Sequence, residues 1–138
     1  MTGLLTENTK IVATDSSTSA GTSTVNSQSV DMESDGGFDE VTFAVEFETA
    51  AADNVAKLQS SPDNSTWTDI NGATISTVDT DDKVQRLNSF RPQARYVRLV
   101  ATRGTSTVLG TILAVLSRPR TAPYNPSADY NVARTIEK

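Results

Sequence analysis

Seven residues, Val41–Phe47 (V-T-F-A-V-E-F), leave this chain few ways to fold. In an extended backbone Val41, Phe43, Val45 and Phe47 fall on one side and Thr42, Ala44 and Glu46 on the other, the period-two pattern of a strand with one dry face. A helix would scatter those four side chains around its circumference, and β-branched and aromatic residues fit a pleated surface better than a helical turn. A pairing slip of one residue would put Phe43 and Phe47 in water and Glu46 in the core, so the register is strongly specified.

The rest of the chain continues in short extended segments. Arg95–Thr102 alternates in the same way, with Val97, Leu99 and Ala101 on one side and Tyr96, Arg98 and Val100 on the other. Thr107–Ser117 is apolar on both: Val108, Gly110, Ile112, Ala114 and Leu116 share one face, while Leu109, Leu113 and Val115 share the opposite one. Such a strand is expected to be covered on both sides, either at the centre of a sheet or as an edge buried by another subunit. Val25–Met32 predicts a strand with Val30 and Met32 alternating, stopped by Asp35-Gly36-Gly37. Val55–Ser60 predicts another, followed by a turn at Ser61-Pro62-Asp63-Asn64, where proline pre-sets a turn residue and Asp and Asn can bond backbone amides. Trp67 and Ile70 lie on the return, Asn71-Gly72 reads as a further turn, and Thr74–Val78 as a short strand. Lys83–Phe90 is ended by Arg91-Pro92, since proline has no amide to give a ladder.

Eight or nine such strands, with no sustained helical period, predict an all-β fold: an antiparallel β-sandwich, jelly-roll-like, with an immunoglobulin-type sandwich as the competing arrangement. Residues 1–24 read as an N-terminal arm, with an apolar patch at Leu4 and Leu5, a short strand pattern over Lys10–Ala13 and then a serine- and threonine-rich stretch. Residues 25–118 form the sandwich. Residues 119–138, punctuated by Pro119, Pro123 and Pro126, read as an extended C-terminal arm.

Composition narrows function mainly by exclusion. A chain of 138 residues suits one domain. It has no cysteine and no histidine, which removes disulfides, thiolate chemistry, imidazole bases and most zinc or copper sites. The longest apolar run, Ile112–Leu116, is far short of a bilayer span, and Met1–Lys10 lacks the basic and apolar regions of a secretory signal, so cytoplasmic synthesis is expected. The net charge of −5 hides a polarised chain. From Met1 to Asp82 about fifteen acidic residues stand against Lys10 and Lys57, whereas Lys83–Arg120 holds about eight basic residues and no acid. Strands of the two halves can interleave and neutralise one another, or they can form an acidic and a basic face suited to packing against copies or an oppositely charged scaffold. Nucleic-acid binding is not expected of an acidic chain whose arginines lack a base-stacking aromatic set.

No constellation reads as catalytic. Asp31/Glu33/Asp35 and Asp79/Asp81/Asp82 are read as solvated turn residues; the second lacks the glycine and final glutamate of a calcium loop. Phosphate-cradling glycine loops, nucleophile elbows and metal-ligand spacings are absent. Asn64-Ser65-Thr66 matches a glycosylation acceptor but reads as part of a turn. Trp67 reads as a core plug beside the hairpin rather than a sugar-stacking platform. No cofactor and no enzymatic activity are expected.

Five segments taken together carry a resemblance: S-V-D-M (Ser29–Met32), F-D-E-V-T-F (Phe38–Phe43), L-Q-S-S-P-D-N-S-T-W-T-D-I (Leu58–Ile70), R-P-x-x-R-Y-V-R (Arg91–Arg98) and R-P-R-x-x-P (Arg118–Pro123). Their order resembles that of small proteins encoded beside the major capsid protein in tailed bacteriophages, over roughly Val25–Pro123. The resemblance implies a capsid decoration, or cement, protein with a β-sandwich or jelly-roll body on the outer surface of the virion head. It implies the major capsid protein as partner and a homo-oligomer, a trimer first, because cement proteins often sit at threefold positions. The alternative is a receptor- or carbohydrate-binding β-sandwich module of a phage head or tail fibre. Arg118, Arg120, Tyr124 and Tyr130, on a segment too proline-rich to build a core, and Leu4 and Leu5 are the expected contacts to capsid or neighbouring subunits.

Overall fold

The computed structural model describes residues 9–14, 19–77 and 83–120. They form nine strands: β1 (Thr9–Thr14), β2 (Val25–Asn26), β3 (Val30–Asp31), β4 (Phe38–Glu46), β5 (Asn54–Ser61), β6 (Thr68–Thr77), β7 (Val84–Phe90), β8 (Tyr96–Arg103) and β9 (Ile112–Pro119). Sheet 1 has the order β1-β9-β4-β7, and sheet 2 the order β2-β8-β5-β6 with β3 also on β8. All pairings are antiparallel. Doubling the chain back at the β5–β6 connection pairs β5 with β6, β4 with β7, β2 and β3 with β8, and β1 with β9, each hairpin nested in the next. That nesting, split over two sheets, is a jelly roll and not an immunoglobulin sandwich. No helix long and apolar enough to cross a membrane occurs among the described residues.

Alternation in β4 is followed as read: Val41, Phe43, Val45 and Phe47 are buried. They join Val97, Leu99 and Ala101 of β8 and Ala56 and Leu58 of β5 in one continuous core between the sheets. Val30 and Met32 close one end of it. The chain turns into β4 through a single 3-10 turn at Ser34–Gly36, where positive φ angles at Asp35, Gly36 and Gly37 supply the break.

Several local readings change. Val25–Met32 is two short strands rather than one, because Ser27 interrupts: its N–H donates to the Leu99 carbonyl (2.8 Å) while its Oγ accepts from the Leu99 N–H (2.9 Å). Asn71-Gly72 is not a turn. β6 runs unbroken through it and absorbs the extra residues as a bulge between the Lys57–Thr74 and Gln59–Asp69 pairs, with Gly72 at φ 83°. Thr107–Ser117 is not one strand either, since Thr107 and Leu109 make isolated bridges to Gly21 and Phe47 before β9 begins. Leu109 is therefore buried along with Ile112, whereas simple alternation assigned them to opposite faces. β9 is central, between β1 and β4. The strand pattern near Lys10–Ala13 becomes β1, so the segment read as an arm contains an edge strand of the body.

The end of the sandwich near β8–β9 is polar and tightly bonded. Arg103 is almost fully buried, and its guanidinium donates to the carbonyls of Ser19 (2.9 Å), Ser23 (2.9 Å) and Thr107 (2.8 Å) and to Ser23 Oγ (2.7 Å). Next to it, Gly104 donates to the Asp53 carbonyl, and a Cβ at Gly104 would lie 2.5 Å from that same oxygen. Backbone cannot yield as a flexible side chain can. Gly104→Ala is expected to cost about 1–3 kcal/mol, read as a lower urea midpoint at unchanged slope.

Candidate interaction surface

The two outer faces of the sandwich differ in chemistry. On sheet 1 the cross-strand registers place Ile11, Val115, Thr42 and Asn88 in one row, Leu113, Ala44 and Arg86 in the next, and Ser117, Glu40 and Phe90 in a third. Of the five large apolar side chains exposed among the described residues, four (Ile11, Val84, Phe90 and Leu113) lie on this face, and the fifth, Ile75, lies on β6. Leu113, Val115 and Ala44 lie on the central strands beside Thr42, while Ile11 is on one edge strand and Val84 and Phe90 are at the two ends of the other, with Arg86 and Asn88 between them.

The arginine and carboxylate groups of this face are brought together by β4, β7 and β9. Glu40 accepts from Asn88 Nδ2 (2.8 Å), Ser117 Oγ (3.1 Å) and Arg118 Nε (3.0 Å). The Asn88 bond foremost, then those from Ser117 and Arg118, hold its carboxyl below the usual glutamate range. Asp39 takes Arg120 Nε at 2.9 Å and has Arg91 at 3.8 Å. Arg91 and Arg118 both lie over the Phe90 ring, at 5.2 and 5.4 Å from its centroid, and both have positive φ (54° and 57°). Two residues in a costly backbone region thus bring two guanidinium groups to one half-exposed phenylalanine.

Sheet 2 presents a polar outer face. Arg98 lies 4.3 Å from the Trp67 ring centroid and donates to Gln59 Oε1 from Nε (3.0 Å) and a terminal nitrogen (2.8 Å). Partial burial lowers the Arg98 pKa. Gln59 donates in turn to Asp69 (2.8 Å), which also pairs with Lys57 (3.1 Å). Those two bonds, Gln59 first, depress the Asp69 pKa. Farther along, Arg95 makes a bidentate pair with Asp31 (2.9 Å to each oxygen), lowering the Asp31 pKa, and lies over Tyr96. Trp67 is accordingly half-buried beneath a guanidinium and not the core plug its sequence context suggests. Sequence proximity to a hairpin could not reveal Arg98, which comes from β8.

The polarised charge resolves by interleaving. Asp31, Glu33, Asp39 and Glu40 from the acidic half meet Arg95, Arg91, Arg120 and Arg118 from the basic half. Arg118 and Arg120, expected to contact capsid or a neighbour, each have a carboxylate within the chain while keeping 65% and 49% of their side-chain surface exposed. The four other residues expected there, Leu4, Leu5, Tyr124 and Tyr130, lie outside the described residues, as do Asp79, Asp81 and Asp82. Asp31 and Asp35 serve Arg95 and Lys10 separately, and among the described residues no acidic group is arranged to hold a metal ion. At Ser61–Thr66 the turn forms as read: the Asp63 carboxylate accepts from the N–H groups of Ser65 (2.9 Å) and Thr66 (2.8 Å). Phe90, Arg91, Arg86 and Ile11 were not singled out from sequence.

A cleft of about 630 Å³ opens between β6 and β7, lined by Asp69, Asn71, Asn88, Phe90, Arg91 and Gln93 among others. It adjoins the arginines of sheet 1.

No protein-family model matches the chain, and no curated protein matches it. Among solved structures it is similar to the PBSX exported protein XepA, with a TM-score of 0.58 at 10% identity over 94% of this chain; the chain spans 43% of XepA's length. The SPBc2 prophage-derived protein YomS aligns at a TM-score of 0.49 and 13% identity, over 78% of this chain and 93% of that one. The Tobacco streak virus coat protein aligns at 0.42 and 11%, over 93% and 96%. At such identity the likeness to XepA shows a shared fold, two antiparallel sheets packed as a sandwich.

Proposed function

We propose that this is a structural virion protein of a tailed bacteriophage, a decoration protein that binds the outside of the capsid and stabilises it as a homotrimer. The observation that carries the reading is the outer face of sheet 1, which holds four of the five large apolar side chains exposed among the described residues, Ile11, Leu113, Val84 and Phe90, together with arginine–carboxylate pairs at Glu40 and Asp39. A domain without cysteines, and so without disulfide staples, gains stability by burying such a face between copies. The jelly roll is the body that the sequence resemblance to decoration proteins implies. The reading requires no catalytic group, and residues beyond the body, Tyr124 and Tyr130 among them, add contacts to the major capsid protein. A glycan-binding role would call for an open aromatic platform. Phe90, Tyr96 and Trp67 each have a guanidinium over the ring, which weighs against it.

The test is co-sedimentation with phage heads that lack the protein, alongside light scattering of the free protein. Full-length protein is expected to scatter as a trimer and to pellet with heads. Leu113→Asp should give a folded monomer that binds at least roughly tenfold more weakly, since an unpaired carboxylate is then buried at the centre of the face. Truncation after Arg120 should keep the body folded and weaken attachment. Failure of the full-length protein to pellet with such heads would overturn the proposal.

A further inference from the structure

Sheet 1 ends at β7, which pairs with β4 and with no other strand among the described residues. Two backbone bonds set the phase of that ladder: the Phe47 N–H donates to the Lys83 carbonyl (2.8 Å), and the Arg91 N–H to the Asp39 carbonyl. Alternate residues of a strand turn their peptide groups to opposite edges. Gln85, Leu87 and Ser89 therefore bond β4, while Val84, Arg86, Asn88 and Phe90 turn both N–H and C=O toward the open side. The pairing from Glu46–Val84 to Glu40–Phe90 contains no bulge. Natural edge strands are blunted by charged side chains, bulges, proline, covering elements or short length, and of these β7 itself carries a charge, Arg86. β6, across the cleft, has its bulge at Ile70–Ala73; β7 has none.

Along β7 and its connection to β8 the charge has one sign, while Asp69 on the β6 side of the cleft is paired with Lys57. Between Lys83 and Arg95 the chain holds Lys83, Arg86, Arg91 and Arg95 and no acid. Arg86 has no ion pair among the described residues, and Arg91 reaches Asp39 Oδ2 only at 3.8 Å, the other oxygen of that carboxylate taking Arg120. A second β7 laid alongside would bring like charges together, which disfavours a symmetric β7–β7 pair. A strand carrying carboxylates would meet complementary charge, and the cleft gives room for its side chains.

We infer that the open edge of β7 accepts an extended acidic segment of a partner protein as an added strand, its backbone pairing with Val84, Arg86, Asn88 and Phe90 and its carboxylates meeting Arg86 and Arg91. The inference does not rest on the virion assignment, and the site borders the sheet 1 face, sharing Val84 and Phe90 with it.

The experiment is amide hydrogen exchange of the full chain, followed by NMR, with a saturating synthetic peptide of alternating threonine and glutamate long enough to span β7. The corresponding threonine–lysine peptide is the control. In the free protein the amides of Val84, Arg86, Asn88 and Phe90 should exchange fast and those of Gln85, Leu87 and Ser89 slowly. With the glutamate peptide the four fast amides should slow by roughly tenfold or more, and with the lysine peptide they should not. Arg86→Pro removes a donor only from the open edge, so it should fold and lose the effect. Should that variant not fold, Arg86→Glu is expected to exchange preference from the glutamate to the lysine peptide. No protection by the glutamate peptide, equal protection by both peptides, or an unchanged response in Arg86→Glu would overturn the inference. Protection already present in the free protein and lost on dilution would overturn it in favour of a second copy.

Discussion

Phe43→Ala is expected to lower the unfolding free energy by about 3–5 kcal/mol, a large share of what a domain of this size possesses. Phe43 is fully buried on β4, the strand flanked by β9 on one side and β7 on the other, and its cross-strand neighbours are Ala114 and Leu87. Neither neighbour can refill the space without moving a strand. Truncation removes the ring's contacts and leaves a cavity in the one core that both sheets share. The effect should appear as a lower urea midpoint at unchanged slope, and Phe43→Leu should lose clearly less. A loss below about 1 kcal/mol would mean that the core repacks around the missing ring, contrary to a ladder fixed on both sides.

Arg103→Ala is expected to cost about 3 kcal/mol or more, through a different mechanism. Its guanidinium satisfies the carbonyls of Ser19, Ser23 and Thr107, and with them it fastens residues 19–23 to the β8–β9 connection, where Gly21 and Thr107 also exchange backbone bonds. Hydrogen bonds from a charged donor are worth about 1.5–3 kcal/mol each when broken, and the orphaned carbonyls regain only what entering water can supply. Arg103→Lys should recover part of the loss, because an ammonium has three donors but not the planar fork that spans both segments. Denaturant unfolding measures the loss. Limited proteolysis should show new cleavage near residues 19–24 in the variant under native conditions. Unchanged cleavage there would indicate that the segment is held without the arginine.

Strands with one uniformly apolar face could be read from the sequence by themselves. From Val41 onward β4 buries every second residue, and in β8 Val97, Leu99 and Ala101 are buried as alternation assigned them, although Val100 on the other face and Arg103 at the strand end are buried as well. The turn at Ser61–Thr66 was legible for a similarly local reason: proline sets a dihedral angle, and the Asp63 carboxylate bonds amides within reach of its own side chain. β7 was legible as a strand but not in its orientation. It buries Gln85, Leu87 and Ser89 and exposes Val84 and Phe90, and hydropathy does not reveal a strand that turns apolar residues outward. Much of the candidate surface was missed there, because exposure of Phe90 and Ile11 depends on which strands end a sheet.

Charge pairing lay equally beyond local pattern. An acidic first half and a basic second half were plain in the composition, yet whether they would separate or interleave depended on the nesting of β1 with β9 and β4 with β7. Once β9 lies beside β4, Arg118 and Arg120 meet Glu40 and Asp39, and once β3 lies beside β8, Arg95 meets Asp31. By itself the sequence determined where strands occur and which faces of the strongest ones are dry, because those properties follow from residues two apart. Tertiary structure decided the jelly-roll order, the stacking of Arg98 on Trp67, the two arginines on Phe90 and the place of β7 at the end of its sheet, because each joins residues that meet only after distant strands have paired.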